Sequence, residues 1–212
     1  MKFSRNNLKL YAVTDQAWTE KQSLQEQVEL ALKGGITCLQ LREKNFSEDQ
    51  FLEEAFCIKS LCMKYDVPFI VNDNVDVTLK CNAAGVHLGQ QDMKATEARK
   101  KIPDNMILGV SASNLYEAKE AENQGADYLG VGAIFPTSTK KDADLVSIET
   151  LYQICNNVDI PVVAIGGINA DNMHKLKDID IAGVALVSEI FSAKNIEEKC
   201  KFIRALAEEL FK

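Results

Sequence analysis

The chain has 212 residues, of which 46% are hydrophobic and 26% charged, and its formal net charge at pH 7 is −7. This composition is typical of a globular protein with a sizeable core, and the negative charge argues against general binding to nucleic acid or to a membrane surface. The segment Met1–Lys9 contains no apolar leader, and no apolar run reaches the ~18 residues of a membrane span. We therefore expect a cytoplasmic protein.

Short β-rich runs alternate with amphipathic segments along the whole chain. The predicted strands are Leu10–Val13, Thr37–Arg42, Phe69–Val71, Gly85–Leu88, Ile107–Ser111, Tyr128–Gly132, Val162–Ile165 and Val184–Val187. Apolar residues recur at three- and four-residue spacing in the predicted helices Leu24–Lys33, Glu48–Tyr65, Leu115–Gln124 and Ile196–Phe211. Eight such units without an internal linker predict an α/β fold, a single (β/α)8 TIM barrel spanning residues 1–212. An open doubly wound sheet is the alternative, although the chain lacks a dinucleotide-binding fingerprint.

The end of the second predicted strand carries an unusual polar face. Successive side chains of a strand point to opposite faces, so Gln40, Arg42 and Lys44 share one face while Leu41 points away. A closed core has no reason to hold an amide, a guanidinium and an ammonium in a row. We expect an anionic ligand there, most simply a phosphate or a diphosphate, and a solvated edge strand is the alternative.

Two aspartates follow neighbouring predicted strands. Because chemistry in (β/α)8 barrels is located at the carboxyl ends of the strands, Asp73 and Asp92 can converge there. Two carboxylates without a nearby histidine or thiolate suit Mg²⁺. The alternatives are a paired general acid and base, or a helix cap for either residue alone.

Two further segments have features of a phosphate site. Gly166-Gly167 follows the seventh predicted strand, and Val187-Ser188 is expected to open the last helix, which matches the usual phosphate site of such barrels. Thr137-Ser138-Thr139-Lys140 adds three hydroxyl groups and an ammonium on a loop. Combined with Arg42 and Lys44, these segments predict two anionic substrates.

Cysteine and histidine give little support for other chemistry. Six cysteines are scattered without a C-x-x-C pair, and the chain has two histidines. This pattern predicts neither a zinc site nor a disulfide framework, and it leaves little choice of base for a nucleophilic triad.

As an ordered set, the motifs resemble the thiamine phosphate synthase (thiamine-phosphate pyrophosphorylase) family. The matching pieces are Tyr11-Ala-Val-Thr-Asp15, Gln40-Leu-Arg-Glu-Lys44, Asn72-Asp73, Gly85-Val-His-Leu-Gly-Gln90 with Asp92, Gly109-Val-Ser111, Gly130-Val-Gly-Ala-Ile-Phe-Pro-Thr-Ser-Thr-Lys140, Val163-Ala-Ile-Gly-Gly-Ile168 and Gly183-Val-Ala-Leu-Val-Ser188. The resemblance implies an enzyme that joins 4-amino-2-methyl-5-hydroxymethylpyrimidine diphosphate to a thiazole phosphate, with Mg²⁺ as cofactor. Its products are thiamine phosphate and diphosphate.

The resemblance also implies a role for individual residues. The pyrimidine diphosphate would be bound by Gln40, Leu41, Arg42, Glu43, Lys44, Asn72, Ser111 and Lys140, of which Arg42, Lys44, Ser111 and Lys140 are the expected catalytic residues. The thiazole phosphate would be bound by Thr137, Ser138, Thr139, Gly167, Val187 and Ser188, and Mg²⁺ by Asp73 and Asp92. Two other functions remain as alternatives: a thiazole tautomerase on the same barrel, and a non-catalytic sensor of thiamine phosphates. The sequence leaves the oligomeric state open.

Overall fold

The computed structural model describes residues 3–20, 22–137, 139 and 144–211. Eight parallel strands close in chain order, so that β1 pairs with both β2 and β8. The strands are β1 (Leu10–Val13), β2 (Cys38–Leu41), β3 (Phe69–Asn72), β4 (Gly85–Leu88), β5 (Ile107–Ala112), β6 (Tyr128–Val131), β7 (Val162–Ile165) and β8 (Gly183–Leu186). The α-helices are α1 (Leu24–Lys33), α2 (Glu48–Lys64), α3 (Val75–Cys81), α4 (Ala95–Lys101), α5 (Leu115–Asn123), α6 (Ile148–Cys155), α7 (Ser188–Phe191) and α8 (Ile196–Leu210). The predicted (β/α)8 barrel is confirmed, and each predicted strand agrees with the structure to within one residue at either end.

The segments after β7 and β8 depart from the pattern of one long α-helix after each strand, and the expected position of Ser188 is corrected. The segment after β7 forms only a short 3-10 helix, Met173–Leu176, in place of a full α-helix. Ser188 opens the short helix α7 and not the last helix. The last helix starts separately because the Asn195 side chain accepts a hydrogen bond from the backbone of Glu198, which defines a new N-terminus.

Several helices begin at capping residues that can be read directly in the sequence. Ser23 and Ser47 each form a capping box, in which the serine bonds the backbone three residues on and Glu26 or Gln50 bonds back. These caps satisfy amides that the helix itself leaves unpaired, so they fix where α1 and α2 begin.

The strands divide their side chains between two apolar layers. Outward-facing residues such as Leu39 and Val71 pack against the helices in the larger core. Inward-facing residues such as Tyr11, Ile70 and Tyr128 fill the barrel interior. Farther toward the carboxyl ends, the inward positions are polar: Gln40, Asn72, His87 and Ser111 follow one another around β2 to β5. No helix in the described part of the chain is long and apolar enough to cross a bilayer.

Candidate active site

A cavity of about 490 Å³ opens at the carboxyl ends of the strands. The sequence-predicted residues that line it are Gln40, Arg42, Lys44, Asn72, Asp73, Asp92, Ser111, Thr137, Thr139, Gly167, Val187 and Ser188. A second hollow, of about 500 Å³, lies at the opposite end of the barrel and is lined by none of them. The predicted residues are therefore concentrated at the end of the barrel where enzymes of this fold bind their substrates.

Two of the predicted residues that the structure describes, Leu41 and Glu43, are not among those lining the cavity. The Leu41 side chain is fully buried in the core between the sheet and the helices. Glu43 accepts a hydrogen bond from Gln16 Nε2 at 2.9 Å, and burial raises the pKa of its carboxyl group. Ser138 and Lys140 lie outside the described residues.

The basic residues after β2 are held by the ends of neighbouring strands. The Arg42 backbone amide donates to Thr14 Oγ1 at 2.9 Å, and its Nη1 lies 3.5 Å from Asp15 Oδ2. Lys44 Nζ lies 2.5 Å from Asp73 Oδ2. Arg42 and Lys44 thus border the cavity, and each lies next to an aspartate that follows a neighbouring strand, β1 for Arg42 and β3 for Lys44.

Asp73 and Asp92 converge as the sequence predicts. Asp73 adopts a left-handed backbone conformation with φ of 63°, which aspartate tolerates better than most residues. Asp92 Oδ2 accepts from the Gly89 amide at 2.7 Å. The pKa of Asp92 is raised, mainly by burial and further by a hydrogen bond to Asp73.

This carboxylate pair fits a hard divalent cation. Two acidic groups in close contact repel one another when ionised, and a bound dication relieves that repulsion. Within the described ranges, no group of three or more His, Cys, Asp and Glu residues could hold a metal. A two-carboxylate site suits Mg²⁺, which usually retains water and borrows oxygens from a substrate phosphate.

The loops after β6 and β7 meet on the other side of the cavity. Gly167 has a φ of 63°, and a Cβ placed there would lie 2.5 Å from the carbonyl oxygens of Phe135 and Pro136. Only glycine allows this approach. Val187 and the start of α7 line the cavity beside this contact, so backbone amides and hydroxyl groups face the same space.

A chain of hydrogen-bonded side chains crosses the barrel beneath the cavity and had not been predicted. It contains Tyr11 and Tyr128, whose hydroxyl oxygens lie 2.8 Å apart. It also contains His87, whose ring lies between Tyr128 and Ser111. The only signal in the sequence was parity, because Tyr128 falls on the inward face that it shares with Gly130.

The fold and the cavity define a (β/α)8 barrel with a polar site at the carboxyl ends of its strands, which is the usual design of an enzyme of this fold. A family model described as thiamine monophosphate synthase matches residues 10–190. A thiamine-phosphate synthase of Clostridium tetani is 50% identical over 192 residues, covering 91% of this chain and 92% of the relative. A thiamine-phosphate synthase of Ruminiclostridium cellulolyticum is 49% identical over 198 residues, covering 93% and 94%.

A comparison with solved structures finds a protein of similar description. The thiamine phosphate pyrophosphorylase from Pyrococcus furiosus superposes with a TM-score of 0.89 at 39% identity, and the match covers 98% of this chain and 99% of that one. The chain belongs to the thiamine monophosphate synthase family. It is an enzyme of thiamine biosynthesis, of the transferase class.

Proposed function

We propose that this enzyme couples 4-amino-2-methyl-5-hydroxymethylpyrimidine diphosphate to a thiazole phosphate in an Mg²⁺-dependent reaction that yields thiamine phosphate and diphosphate. One observation carries the proposal. A single cavity has an acidic and basic wall around Asp73, Asp92 and Lys44, and a glycine and hydroxyl wall around Gly167 and Ser188. A metal-bound diphosphate fits the first wall, and a phosphate monoester fits the second.

The diphosphate would be bound at the ends of β2 to β5. Asp73 and Asp92 would hold Mg²⁺, whose chemistry is to neutralise charge on the diphosphate as it departs. Arg42 and Lys44 add positive charge from the neighbouring strand, and Ser111 adds a hydroxyl group. Asn72 and Gln40 border the same space. The family resemblance adds Leu41, Glu43 and Lys140 to this set. Because the Leu41 side chain is buried in the core, any contribution from it would come through its backbone.

The thiazole phosphate would be bound opposite, between the loops after β6 and β7 and the start of α7. Thr137 and Thr139 offer hydroxyl groups, and Gly167 lets the backbone approach an anion. Val187 and Ser188 contribute the first amides of α7 and the Ser188 hydroxyl group. Ser138 joins this set through the family resemblance.

The charges suggest a dissociative substitution. The electron-rich aminopyrimidine supports a methylene cation, so the bond between the methylene carbon and the diphosphate oxygen breaks first and the electron pair leaves with the diphosphate. The thiazole nitrogen then donates its lone pair to that carbon. This nitrogen carries no proton, so no protein base is required. The enzyme positions the two rings and compensates the charge that develops on the leaving group.

Two other functions would use only part of this cavity. A thiazole tautomerase needs the phosphate wall but neither the carboxylate pair nor Lys44. A non-catalytic sensor of thiamine phosphates has no use for a metal–diphosphate site. The convergence of Asp73, Asp92 and Lys44 in one cavity favours the synthase over both.

The test is diphosphate release by the purified protein, measured with both substrates, with each substrate alone, and with and without Mg²⁺. We expect release that requires both substrates and the metal, with thiamine phosphate forming one for one. Asp92→Asn keeps an acceptor for the Gly89 amide but removes a charge, so turnover at limiting Mg²⁺ should fall about 100-fold or more. Asp104→Asn, an exposed aspartate that does not line the cavity, is the control.

The opposite outcome is equally informative. A folded protein that binds the thiazole phosphate but releases no diphosphate would contradict the proposal. Isomerisation of the thiazole would then indicate the tautomerase, and binding without any conversion would indicate the sensor.

A further inference from the structure

Five polar side chains form a continuous hydrogen-bond chain across the barrel. Gln40 Nε2 lies 2.8 Å from Tyr11 Oη, which lies 2.8 Å from Tyr128 Oη. Tyr128 Oη lies 3.0 Å from His87 Nδ1, and His87 Nε2 lies 2.9 Å from Ser111 Oγ. The chain runs from β2 through β1, β6 and β4 to β5, and both of its ends border the cavity.

One arrangement of hydrogens uses both phenol hydrogens and the imidazole hydrogen within this chain. The Gln40 amide nitrogen can only donate, so Tyr11 accepts from it, and in this arrangement Tyr11 directs its one hydrogen toward Tyr128. Tyr128 in turn uses its hydrogen toward His87 Nδ1. A neutral imidazole that accepts at Nδ1 carries its hydrogen on Nε2, and that hydrogen is donated to Ser111 Oγ.

The protonation states required by this direction follow from burial. Tyr11 and Tyr128 are almost completely buried, which raises the pKa of both phenols and keeps their hydrogens in place. His87 is buried as well, and its two ring nitrogens contact the hydroxyl groups of Tyr128 and Ser111. A ring with one hydrogen completes the chain at both of these contacts.

The barrel is shaped to accommodate these contacts. A Cβ at Gly109 would lie 2.4 Å from Tyr128 Oη and 2.5 Å from His87 Nδ1, so any other residue would break the link between the two rings. Ser111 is held from the other side as well, since its carbonyl oxygen accepts from Gln90 Nε2 at 2.6 Å. The serine is thus oriented by its neighbours before any ligand arrives.

We propose that His87 is a positioning residue that donates from Nε2 to Ser111 Oγ, so that the serine hydroxyl hydrogen is directed into the cavity toward an anionic ligand. The identification of that ligand as the diphosphate rests on the proposed function, in which Ser111 faces the diphosphate. Aligned hydrogen bonds polarise one another in a low-dielectric interior, so the chain makes Ser111 a stronger donor than an isolated serine.

The first test is independent of catalysis. The chain has two histidines, so ¹⁵N labelling of the His174→Gln variant leaves only His87 visible. We expect Nε2 to be protonated and Nδ1 unprotonated near pH 7 in the ligand-free protein. Tyr128→Phe removes the donor to Nδ1, so the Nδ1 resonance should move toward that of an imidazole nitrogen without a hydrogen bond. A wild-type ring protonated at Nδ1, or an Nδ1 resonance unchanged in Tyr128→Phe, would overturn the proposal.

The second test is a double-mutant cycle on turnover. Tyr128→Phe should lower kcat about tenfold, comparable with the loss of one buried hydrogen bond. In a Ser111→Ala background the same change should have less than about a twofold effect, because the end of the chain has been removed. Tyr116→Phe, at an exposed tyrosine outside the cavity, is the matched control.

Effects of Tyr128→Phe and Ser111→Ala on kcat that multiply independently would show that Tyr128 does not act through Ser111 and would contradict the proposal. If the wild-type protein has no synthase turnover, the proposed function fails, and the tautomer measurement still decides the role of His87. That measurement on His174→Gln needs no substitution in the core.

Discussion

Lys44 and Asp73 form an ion pair across the ends of β2 and β3, with Nζ 2.5 Å from Oδ2. Asp73 is one of the two carboxylates proposed to hold Mg²⁺, and Lys44 is proposed to bind the diphosphate. In the ligand-free protein the two residues therefore compensate one another. Mg²⁺ would compete with Lys44 for the Asp73 carboxylate, and a diphosphate would compete with Asp73 for the Lys44 ammonium.

Lys44→Met should affect the two ligands in opposite directions. Without the ammonium, Asp73 has no competing cation, so Mg²⁺ alone should bind about three- to fivefold more tightly, as expected for a half-exposed ion pair. Inorganic diphosphate should bind at least about tenfold more weakly, because a charged partner is lost. Calorimetric titration of each ligand measures both effects. Lys80→Met, which removes an exposed ion pair of equal length to Glu48, should leave both affinities unchanged.

Ser188→Ala should weaken binding of the thiazole phosphate with little effect on the chemical step. The serine lines the cavity at the start of α7, on the wall away from Asp73 and Asp92. Loss of one hydrogen bond to a charged group should raise KM for this substrate about tenfold and leave kcat within about twofold. Ser192→Ala removes the hydroxyl group at the other end of α7, which donates to the Ser188 carbonyl oxygen, and is the control. A tenfold fall in kcat for Ser188→Ala would contradict the assignment.

Gly167→Ala should disturb the contact between the loops after β6 and β7. Its positive φ and the carbonyl oxygens 2.5 Å from the added Cβ both oppose a side chain. Gly35→Ala is a matched control, because it has a φ of 88° but its nearest neighbour would be 4.0 Å away. We expect Gly35→Ala to cost about 1 kcal/mol of unfolding free energy from the backbone alone. Gly167→Ala should cost at least about 2 kcal/mol and weaken thiazole phosphate binding. Equal losses of stability in chemical denaturation would contradict the role of the loop contact.

Glu54→Gln should make stability less dependent on pH. Burial raises the pKa of Glu54 above 4.5, so the folded protein holds this proton to a higher pH than the unfolded chain does. Stability therefore falls as pH rises from about 4.5 through the folded-state pKa, and the deficit persists at higher pH. The amide keeps an acceptor for Gln25 Nε2 but carries no charge. We expect the variant to be more stable than wild type at pH 8, with the difference disappearing near pH 4.

Glu53→Gln is the control for this comparison. It removes an exposed carboxylate from the same helix, α2, and therefore reports the general effect of one less negative charge. Urea denaturation of the three proteins at pH 4, 6 and 8 measures the difference. An equal gain in unfolding free energy for both variants at pH 8 would show that the burial of Glu54 does not cause the stabilisation.

The sequence by itself determined the architecture and most of the cavity wall. The alternation of side chains along a strand predicted that Gln40, Arg42 and Lys44 share a face and that Leu41 does not, and the burial of Leu41 agrees. The eight strands could be predicted closely because β-rich runs and apolar periodicity are local signals. The position of Asp73 and Asp92 after neighbouring strands likewise predicted that they meet.

Only the tertiary structure decided which partners these residues have. Tyr11 and Tyr128 are 117 residues apart, and their contact exists because the closed barrel directs inward side chains from β1 and β6 to the same level. The ion pair of Lys44 with Asp73 and the space that Gly109 leaves for His87 depend on the register of neighbouring strands. A sequence pattern reports the face of a strand on which a side chain lies. The distance across the barrel is set by strand register and packing, which involve all eight strands together.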